Sequence, residues 1–247
     1  MKKPKVLIVT APGINCEFET FNAFNFLGCV SELVHINALL KKDRKILNYD
    51  ILAFPGGFSY GDDIAGGTIL ANKIKKLLPD ILKFNKSARP IIGICNGFQV
   101  LMKTGVLPFA GAKHQSASLS FNDCGHYIDK WVDLKVNKKS PCIFTKNLPE
   151  EIKLPIAHGE GKFVTDTDKT LSKLIDKNLV VLRYSNNPNG SVYDIAGITN
   201  ERGNVFGLMP HPERYVLKYH HPLWRQTVVK SPHGLEILKN AVEYVKN

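Results

Sequence analysis

The stretch over residues 89–99 reads Arg-Pro-Ile-Ile-Gly-Ile-Cys-Asn-Gly-Phe-Gln and constrains the fold more than any other part of the 247-residue chain. A short apolar run stops at Cys95, and a glycine lies two positions away on each side. This frame is typical of a sharp strand-to-helix turn: the backbone is strained at the central residue, and a Cβ at either flank would collide with the neighbouring strand and helix. It predicts a buried strand over 90–94, a helix over 97–103, and Cys95 at the edge of a sheet.

A cysteine in this position suits nucleophilic chemistry. The first turn of a helix carries unpaired N–H groups, and their partial positive charge favours a thiolate. Free cysteine is often a buried structural residue. The glycine frame after an apolar strand favours a nucleophile at Cys95 over a packing residue.

A candidate base lies far along the chain, where residues 207–214 read Gly-Leu-Met-Pro-His-Pro-Glu-Arg. The apolar run 204–209 predicts a strand, and prolines on both sides of His211 fix the local backbone. Glu213 is two residues further on, so its side chain returns to the same face of an extended chain. Cys95, His211 and Glu213 are therefore the candidate nucleophile, base and orienting carboxylate of a catalytic triad.

The first half of the chain alternates short apolar strands with helices. Residues 5–10 are almost purely Val, Leu and Ile, as in a parallel strand that is covered on both faces. The other elements predicted before residue 90 are strands over 30–34 and 51–54, a helix over 15–27, and a helical stretch over 68–84 that breaks at Pro79. This alternation predicts an α/β fold with a doubly wound sheet, which binds ligands at the carboxyl ends of its strands.

After the predicted helix 97–103 the pattern changes to β. The predicted β segments are 116–136, 152–164, 180–184 and 192–199. Turn signals lie at Asn189-Gly190 and at residues 202–204. We expect these segments to be antiparallel strands that decorate the sheet within a single domain over residues 1–247, because His211 must return to Cys95. A final amphipathic helix is predicted over 234–245.

Composition argues against several function classes. The formal charge of +11 is anomalous, but the basic residues are mostly dispersed lysines without interleaved aromatics, so a solvated surface is favoured over a nucleic-acid site. Five cysteines without a Cys-x-x-Cys pair favour a reducing compartment. No apolar run reaches signal-peptide or membrane-spanning length. We expect a cytoplasmic protein that binds neither nucleic acid nor membrane.

A glycine pair follows the predicted strand over 51–54. Gly56 and Gly57 let the backbone approach a ligand and present N–H groups, and a plain turn is the alternative. Because an elbow cysteine is predicted at the same sheet edge, we favour the ligand-binding interpretation. Asp62 and Asp63 lack a second acidic cluster, so we interpret them as solvated loop residues and predict no metal.

Together these motifs resemble the class I (triad) glutamine amidotransferases, which carry Gly-Ile-Cys-Asn-Gly-Phe-Gln together with Pro-His-Pro-Glu. Further stretches are similar to the glutaminase subunits of phosphoribosylformylglycinamidine synthase, and they cover 55–62, 157–163, 187–191 with 195–198, and 209–214. The resemblance extends over nearly the whole chain. It implies a flavodoxin-like version of the doubly wound, mostly parallel sheet with helices on both faces. It also implies hydrolysis of glutamine to glutamate and ammonia.

The resemblance also implies roles for single residues. The N–H groups of Gly57 and Asn96 would form the oxyanion hole, and Phe58 N–H is the alternative donor. Gly56 and Gln99 would bind glutamine.

The same resemblance implies a partner. Ammonia would pass to an ATP-dependent synthetase that converts formylglycinamide ribonucleotide to formylglycinamidine ribonucleotide in purine biosynthesis. Whether a small bridging subunit also belongs to the complex stays open. His158 and Glu160 either form a polar turn or line the ammonia exit or the partner interface. Because the chain has no Gly-x-x-x-x-Gly-Lys-Ser/Thr loop, ATP and Mg²⁺ are expected on the synthetase, and no cofactor is expected in this chain.

Two alternatives remain open: a subunit of another class I amidotransferase, or a cysteine hydrolase of the same superfamily that is no amidotransferase. In such hydrolases a histidine often follows the cysteine, whereas Asn96 follows Cys95 here. Cys124 and His126 replace the small and basic residues usual in this family. Two potential ligands without a matching second pair do not predict a metal site.

Overall fold

The computed structural model describes residues 3–111, 114–226 and 231–246. Its strands are β1 (Lys5–Thr10), β2 (Val30–His35), β3 (Ile51–Phe54), β4 (Ile91–Ile94), β5 (Ala117–Ser120), β6 (Ile128–Val136), β7 (Glu151–His158), β8 (Lys162–Thr165), β9 (Val180–Tyr184), β10 (Ile195–Thr199) and β11 (Val205–Leu208). Its α-helices are α1 (Glu17–Phe26), α2 (Ile36–Leu40), α3 (Thr68–Ile74), α4 (Leu78–Lys86), α5 (Asn96–Lys103), α6 (Asp168–Asp176) and α7 (His233–Lys246).

Nine strands form one mixed sheet in the order β2-β1-β3-β4-β11-β10-β9-β6-β7. The first five are parallel, which confirms the doubly wound, flavodoxin-like prediction for this half. β1, β3 and β4 are buried along nearly their whole length. Their runs of Val, Ile and Leu suit burial on both faces, as in parallel sheets covered by helices.

The register between β4 and β11 positions the site. These strands are parallel neighbours, and Ile94 pairs with Leu208 at their carboxyl ends. The residues that follow each strand therefore emerge at the same sheet edge. This is why Cys95 and His211 meet although 116 positions separate them in the chain.

The antiparallel strands predicted after α5 are present, and most of them extend the main sheet. β10, β9, β6 and β7 continue it beyond β11, while β5 and β8 form a separate two-stranded sheet. The edge strand β7 approaches the site, because Pro155 O accepts the backbone N–H of His211 at 2.8 Å. The far end of the sheet thus folds back to contact the segment that carries His211.

Two predicted boundaries were wrong. The helical stretch after residue 68 breaks at a 3₁₀ turn over Lys75–Leu77, and Pro79 lies in the first turn of α4. Proline is tolerated there because the first-turn N–H groups have no intrahelical acceptor. The strand predicted from residue 192 begins at Ile195, since a 3₁₀ turn with Tyr193 at φ 53° precedes it.

No helix in the described ranges combines the length and the apolar character that crossing a bilayer requires.

Candidate active site

The elbow between β4 and α5 has the predicted geometry. Cys95 has φ 51° and ψ −106°, and its N–H donates to Leu208 O at 2.8 Å. A Cβ on Gly97 would lie 1.9 Å from Phe54 O, and one on Gly93 would lie 2.6 Å from Leu101 Cδ1. Both collisions confirm that the glycines are there to let strand and helix meet at the cysteine.

The structure brings His211 and Glu213 together beside this elbow. His211 Nδ1 and Glu213 Oε1 are 2.6 Å apart, and both side chains are almost completely buried. A Cβ on Gly56 would lie 2.8 Å from His211 Cε1 and 3.4 Å from Cys95 Cβ, so this glycine allows the imidazole and the thiol to approach each other. His211 Nε2 has no hydrogen-bond partner among the described residues and is free for the chemistry.

The charges around the imidazole favour its protonated form. Burial by itself would lower the pKa of His211, but the negative charges of Glu213 and Cys95 outweigh it and hold that pKa well above its usual value. An imidazolium stabilises a neighbouring thiolate. The buried pair is thus suited to a thiolate nucleophile with a proton donor beside it.

Cys95 and His211 open into a cavity of about 180 Å³. Three aromatic side chains with substantial exposure lie around it: Phe58, Phe121 and Tyr127. Cys95 Sγ lies 3.6 Å from Ala157 O at the end of β7. The cavity is therefore bounded by the parallel half of the sheet on one side and by β7 on the other.

The backbone N–H groups of Gly57, Asn96 and Phe58 are the predicted oxyanion donors, and they differ in whether a protein acceptor already binds them. Phe58 N–H donates to Gly13 O at 2.8 Å in this conformation, and its role as the alternative donor stays a prediction. Among the described residues, Gly57 N–H has no acceptor, and Gly57 lines the cavity. Asn96 N–H is the first of α5 and has no intrahelical acceptor. The pair Gly57 and Asn96 remains the prediction.

A polar network covers the cavity from the side of α5. Asn96 Nδ2 donates to Asp62 Oδ1 at 3.0 Å and to Gln99 Oε1 at 2.9 Å. Gln99 Nε2 donates to Glu160 O at 2.7 Å, and Glu160 Oε2 accepts Gly66 N–H at 2.9 Å. Gln99 lines the cavity, but protein groups occupy its carbonyl and one of its N–H groups. Its contact with glutamine stays a prediction.

Asp62 was misread from the sequence as a solvated loop residue. It is half-buried, lines the cavity and accepts the N–H of Gly67 at 3.0 Å as well as the amide of Asn96. Burial raises its pKa against these hydrogen bonds. Its neighbour Asp63 is exposed. Two adjacent aspartates give no signal in a single sequence to say which one turns inward.

His158 lies in the cavity wall and is buried. Its Nδ1 is 3.0 Å from Asn122 Oδ1, and Nε2 has no partner among the described residues. Burial, followed by the charge of His211, lowers the pKa of His158 to about 4. The residue is thus neutral at pH 7. The structure places His158 and Glu160 at the cavity, and their role in ammonia exit or docking stays a prediction.

Two cavity residues were missed by sequence reasoning. Cys16, at the start of α1, is buried, and Arg214 Nη2 donates to its Sγ at 3.1 Å. Potential metal-ligating atoms of Cys16, His211 and Glu213 lie within 4.8 Å of one another. Within this cluster the Glu213 carboxylate binds the imidazole through Oε1, and the guanidinium of Arg214 binds the sulfur. Only the position of Cys16 after the first strand could have drawn attention to it.

The loop that departs from the family pattern lies at the surface. Cys124 is exposed, and its Sγ is 3.5 Å from His126 O, while His126 Nδ1 is 3.0 Å from Cys124 O. The two side chains bond to each other's backbone. Neither belongs to a potential metal cluster in the part of the chain that the structure describes.

Comparison with known proteins places this geometry in a family. Residues 3–245 match the model of the CobB/CobQ-like glutamine amidotransferase domain. The phosphoribosylformylglycinamidine synthase subunit PurQ of Dehalococcoides mccartyi is 43% identical over 258 aligned residues, which cover 100% of this chain and 99% of the relative. The chain belongs to the PurQ family of class I glutamine amidotransferases. The subunit PurQ of Methanococcus maripaludis is 41% identical to this amidotransferase, covering 98% of this chain and 97% of the relative.

Solved structures agree with the fold of this amidotransferase. A chain in the structure of PurLQS from Thermotoga maritima matches with a TM-score of 0.79 and 34% identity, over 98% of this chain and 99% of that one. A glutamine amidotransferase from the same organism matches with a TM-score of 0.60 at 15% identity, over 99% of each chain. The second match concerns the fold alone.

Proposed function

We propose that this chain is the glutaminase subunit of a phosphoribosylformylglycinamidine synthase. It hydrolyses glutamine to glutamate and ammonia, and the ammonia passes to a synthetase that converts formylglycinamide ribonucleotide to formylglycinamidine ribonucleotide in de novo purine biosynthesis. The observation that carries the proposal is the convergence of Cys95, His211 and Glu213 in one cavity, in a chain 43% identical over its whole length to a PurQ subunit.

The first step is attack by the Cys95 thiolate on the side-chain carboxamide carbon of glutamine. Negative charge then develops on the carboxamide oxygen, and the N–H groups of Gly57 and Asn96 are the donors proposed to stabilise it. The imidazolium of His211 gives its proton to the nitrogen, which departs as ammonia and leaves a γ-glutamyl thioester.

The second step is hydrolysis of that thioester. His211, now neutral, takes a proton from water while the hydroxide attacks the thioester carbon, and glutamate leaves as the thiolate is restored. Glu213 orients the ring through Nδ1 and stabilises the imidazolium, which gives up its proton in the first step and forms again in the second. The raised pKa of His211 suits its role as proton donor to ammonia.

Amidine formation also needs ATP, Mg²⁺ and the ribonucleotide, and we assign their binding to the partner. We propose that ATP and Mg²⁺ bind on the synthetase. Whether a small bridging subunit joins the complex stays open. We also propose that residues 1–247 act as one domain in the cytoplasm. All five cysteines lie in the described residues and are free thiols, which supports a reducing compartment. The continuous nine-stranded sheet and a family match over residues 3–245 support one domain.

A coupled assay tests this function. The purified chain is mixed with formylglycinamide ribonucleotide synthetase, ATP, Mg²⁺ and ribonucleotide, and glutamate and amidine product are measured together. We expect one glutamate for each product molecule, and much slower glutamate release from the chain alone. A free-standing glutaminase would waste glutamine, so the loop from Gly56 to Asp63 is expected to complete the oxyanion hole only on docking.

The controls separate the proposal from its alternatives. Cys95→Ala should remove glutamine-dependent product while ammonia-dependent product from the synthetase persists. Product formation with a synthetase of another pathway, but not with this one, would assign the chain to another class I amidotransferase. Glutamate release from the isolated chain at the full rate of the complex would favour a free-standing amidase.

A further inference from the structure

A second thiol lies beside the catalytic base. Cys16 precedes α1, and its side chain is 1% exposed. Its sulfur lies within 4.8 Å of potential ligand atoms of both His211 and Glu213. The proposed reaction uses Cys95 as its protein nucleophile and leaves Cys16 without a chemical step.

The backbone holds this sulfur against the imidazole. Cys16 N–H donates to Gly56 O at 3.2 Å. A Cβ on Gly56 would lie 3.3 Å from Cys16 Sγ and 2.8 Å from His211 Cε1. The absence of a side chain at Gly56 is what lets the sulfur and the ring approach each other.

Arg214 closes the contact from the other side. Its Nη2 donates to Cys16 Sγ at 3.1 Å, and its side chain is half-buried. Burial would lower the pKa of Arg214, but the charges of Cys16 and then Glu213 outweigh it and raise that pKa. His211 and Arg214 lie at the two ends of one short turn, so Cys16 contacts both ends of the segment that carries the base.

Several titratable groups surround the imidazole, and they act in different directions. Glu213 and Cys95 stabilise its protonated form, and Cys16 does so as well. The charged or titratable neighbours are Glu213 and Arg214 on its own turn, Cys95 at the elbow, Cys16 before α1, His158 at the end of β7, and Tyr127 before β6. Cys16 is the only one of these with contacts to both His211 and Arg214 and no proposed part in catalysis or in the cavity's docking.

We propose that Cys16 is a positioning residue, whose sulfur packs against the imidazole of His211 and accepts a hydrogen bond from the guanidinium of Arg214, and thereby fixes the ring between Glu213 and Cys95. It does not touch the reacting atoms. The inference rests on the proposed glutaminase function for its kinetic consequences, and on the geometry alone for its effect on His211.

The kinetic test uses Cys16→Ala and Cys16→Ser in the complete complex. For Cys16→Ala we expect kcat to fall roughly tenfold with KM changed less than about twofold, because ring orientation matters in the transition state. Cys16→Ser keeps an acceptor for Arg214 and should recover most of the loss. Since Cys16 helps to raise the pKa of His211, the alkaline limb of kcat/KM should move to lower pH in Cys16→Ala.

Cys29→Ala is the matched control. Cys29 is a buried thiol just beyond the other end of α1, and burial raises its pKa to about 11. Cys29→Ala also removes one buried sulfur, but from a site that does not contact His211. The pH profile of kcat/KM for this variant should therefore equal that of the wild type. If Cys16→Ala does not fold, Cys16→Val fills the site without an acceptor and takes its place.

A second readout does not need turnover. The imidazole of His211 is titrated by NMR in the wild type, Cys16→Ala and Cys29→Ala, and we expect a lower midpoint in Cys16→Ala alone. An unchanged His211 midpoint, or equal loss of kcat in Cys16→Ala and Cys29→Ala, would overturn the inference. A wild-type complex that forms no glutamate would overturn the proposed function instead, and the NMR titration would still decide the role of Cys16.

Discussion

The floor and the cover of the cavity meet at Asn96, yet different forces hold them. The floor, which we define as Gly93 to Gly97 with the His211 turn, is fixed by close packing of backbone against backbone, as at Gly97 against Phe54. The cover, defined as residues 57–67 and 158–161, is held by carboxylates that accept loop N–H groups. Packing permits one arrangement, whereas hydrogen bonds of this kind can break and re-form.

The cover also stores backbone strain. Tyr60 and Asp62 have φ values of 56° and 52°, in the region that residues other than glycine seldom occupy. Asp62 and Glu160 hold this loop against α5 and the end of β7. We therefore expect the floor to determine which chemistry is possible, and docking of a partner to change the rate through the cover.

The largest expected effect is on the rate of glutamate formation when the proposed base or its orienting carboxylate, both in the floor, is replaced. In the complex, His211→Asn should lower glutamate formation by at least roughly 10³-fold, because it removes the proposed proton donor beside Cys95. Glu213→Gln should be milder, at roughly 10²-fold, because the amide still contacts Nδ1. Near-wild-type rates in both variants would show that another residue is the base.

The next effect tests whether packing fixes the floor. Gly97→Ala should lower the free energy of unfolding by about 3 kcal/mol, at the upper end for overpacking, because the new Cβ meets Phe54 O. Gly159→Ala is the control in the cover, where the nearest atom is Tyr127 Cδ2 at 3.9 Å, and should change stability by less than about 0.5 kcal/mol. Equal losses of unfolding free energy in the two variants, measured by urea unfolding, would show that packing is no tighter in the floor than in the cover.

Low pH is expected to lower the free energy of unfolding through His158, which lies in the cover. Because the pKa of His158 is about 4 in the folded protein and near 6.5 when unfolded, the unfolded chain binds a proton first as pH falls. The wild type should therefore lose roughly 2–3 kcal/mol between pH 7 and pH 4.5 that His158→Gln does not lose. His126→Gln, at an exposed site, is the control. Parallel stability curves for the wild type and His158→Gln would contradict the burial argument.

The smallest effect concerns the hydrogen bonds of the cover. Asp62→Ala removes the acceptor for Gly67 N–H and for the Asn96 amide, so we expect kcat of the complex to fall roughly tenfold with little change in stability. Asp63→Ala, at the exposed neighbour, should stay within about twofold of the wild type. Equal kcat values for the two variants would mean that the cover does not organise the oxyanion hole.

The floor could be predicted from the sequence because its constraints are local. Glycines around Cys95 and prolines around His211 restrict the backbone within a few residues, and the strands over 5–10, 51–54 and 180–184 match their predicted bounds. The triad pairing needed only two parallel strands that end together.

The cover could not be predicted because its contacts join residues far apart in the chain. Asp62 bonds to Asn96 and Glu160 bonds to Gly66, across 34 and 94 positions, and neither pair has a characteristic spacing. Cys16 reaches Arg214 across 198 positions. Such contacts depend on how loops fold back over the sheet, which no local pattern encodes.

The most direct test of the account is to trap the covalent intermediate. The chain is mixed with glutamine and the synthetase loaded with ATP, Mg²⁺ and ribonucleotide, quenched in acid during turnover, digested and examined by mass spectrometry. The account predicts a γ-glutamyl adduct on the peptide that contains Cys95, and none on the peptide that contains Cys16. Glutamate formation at the full rate with the adduct on another residue, or with Cys95 replaced by alanine, would contradict it.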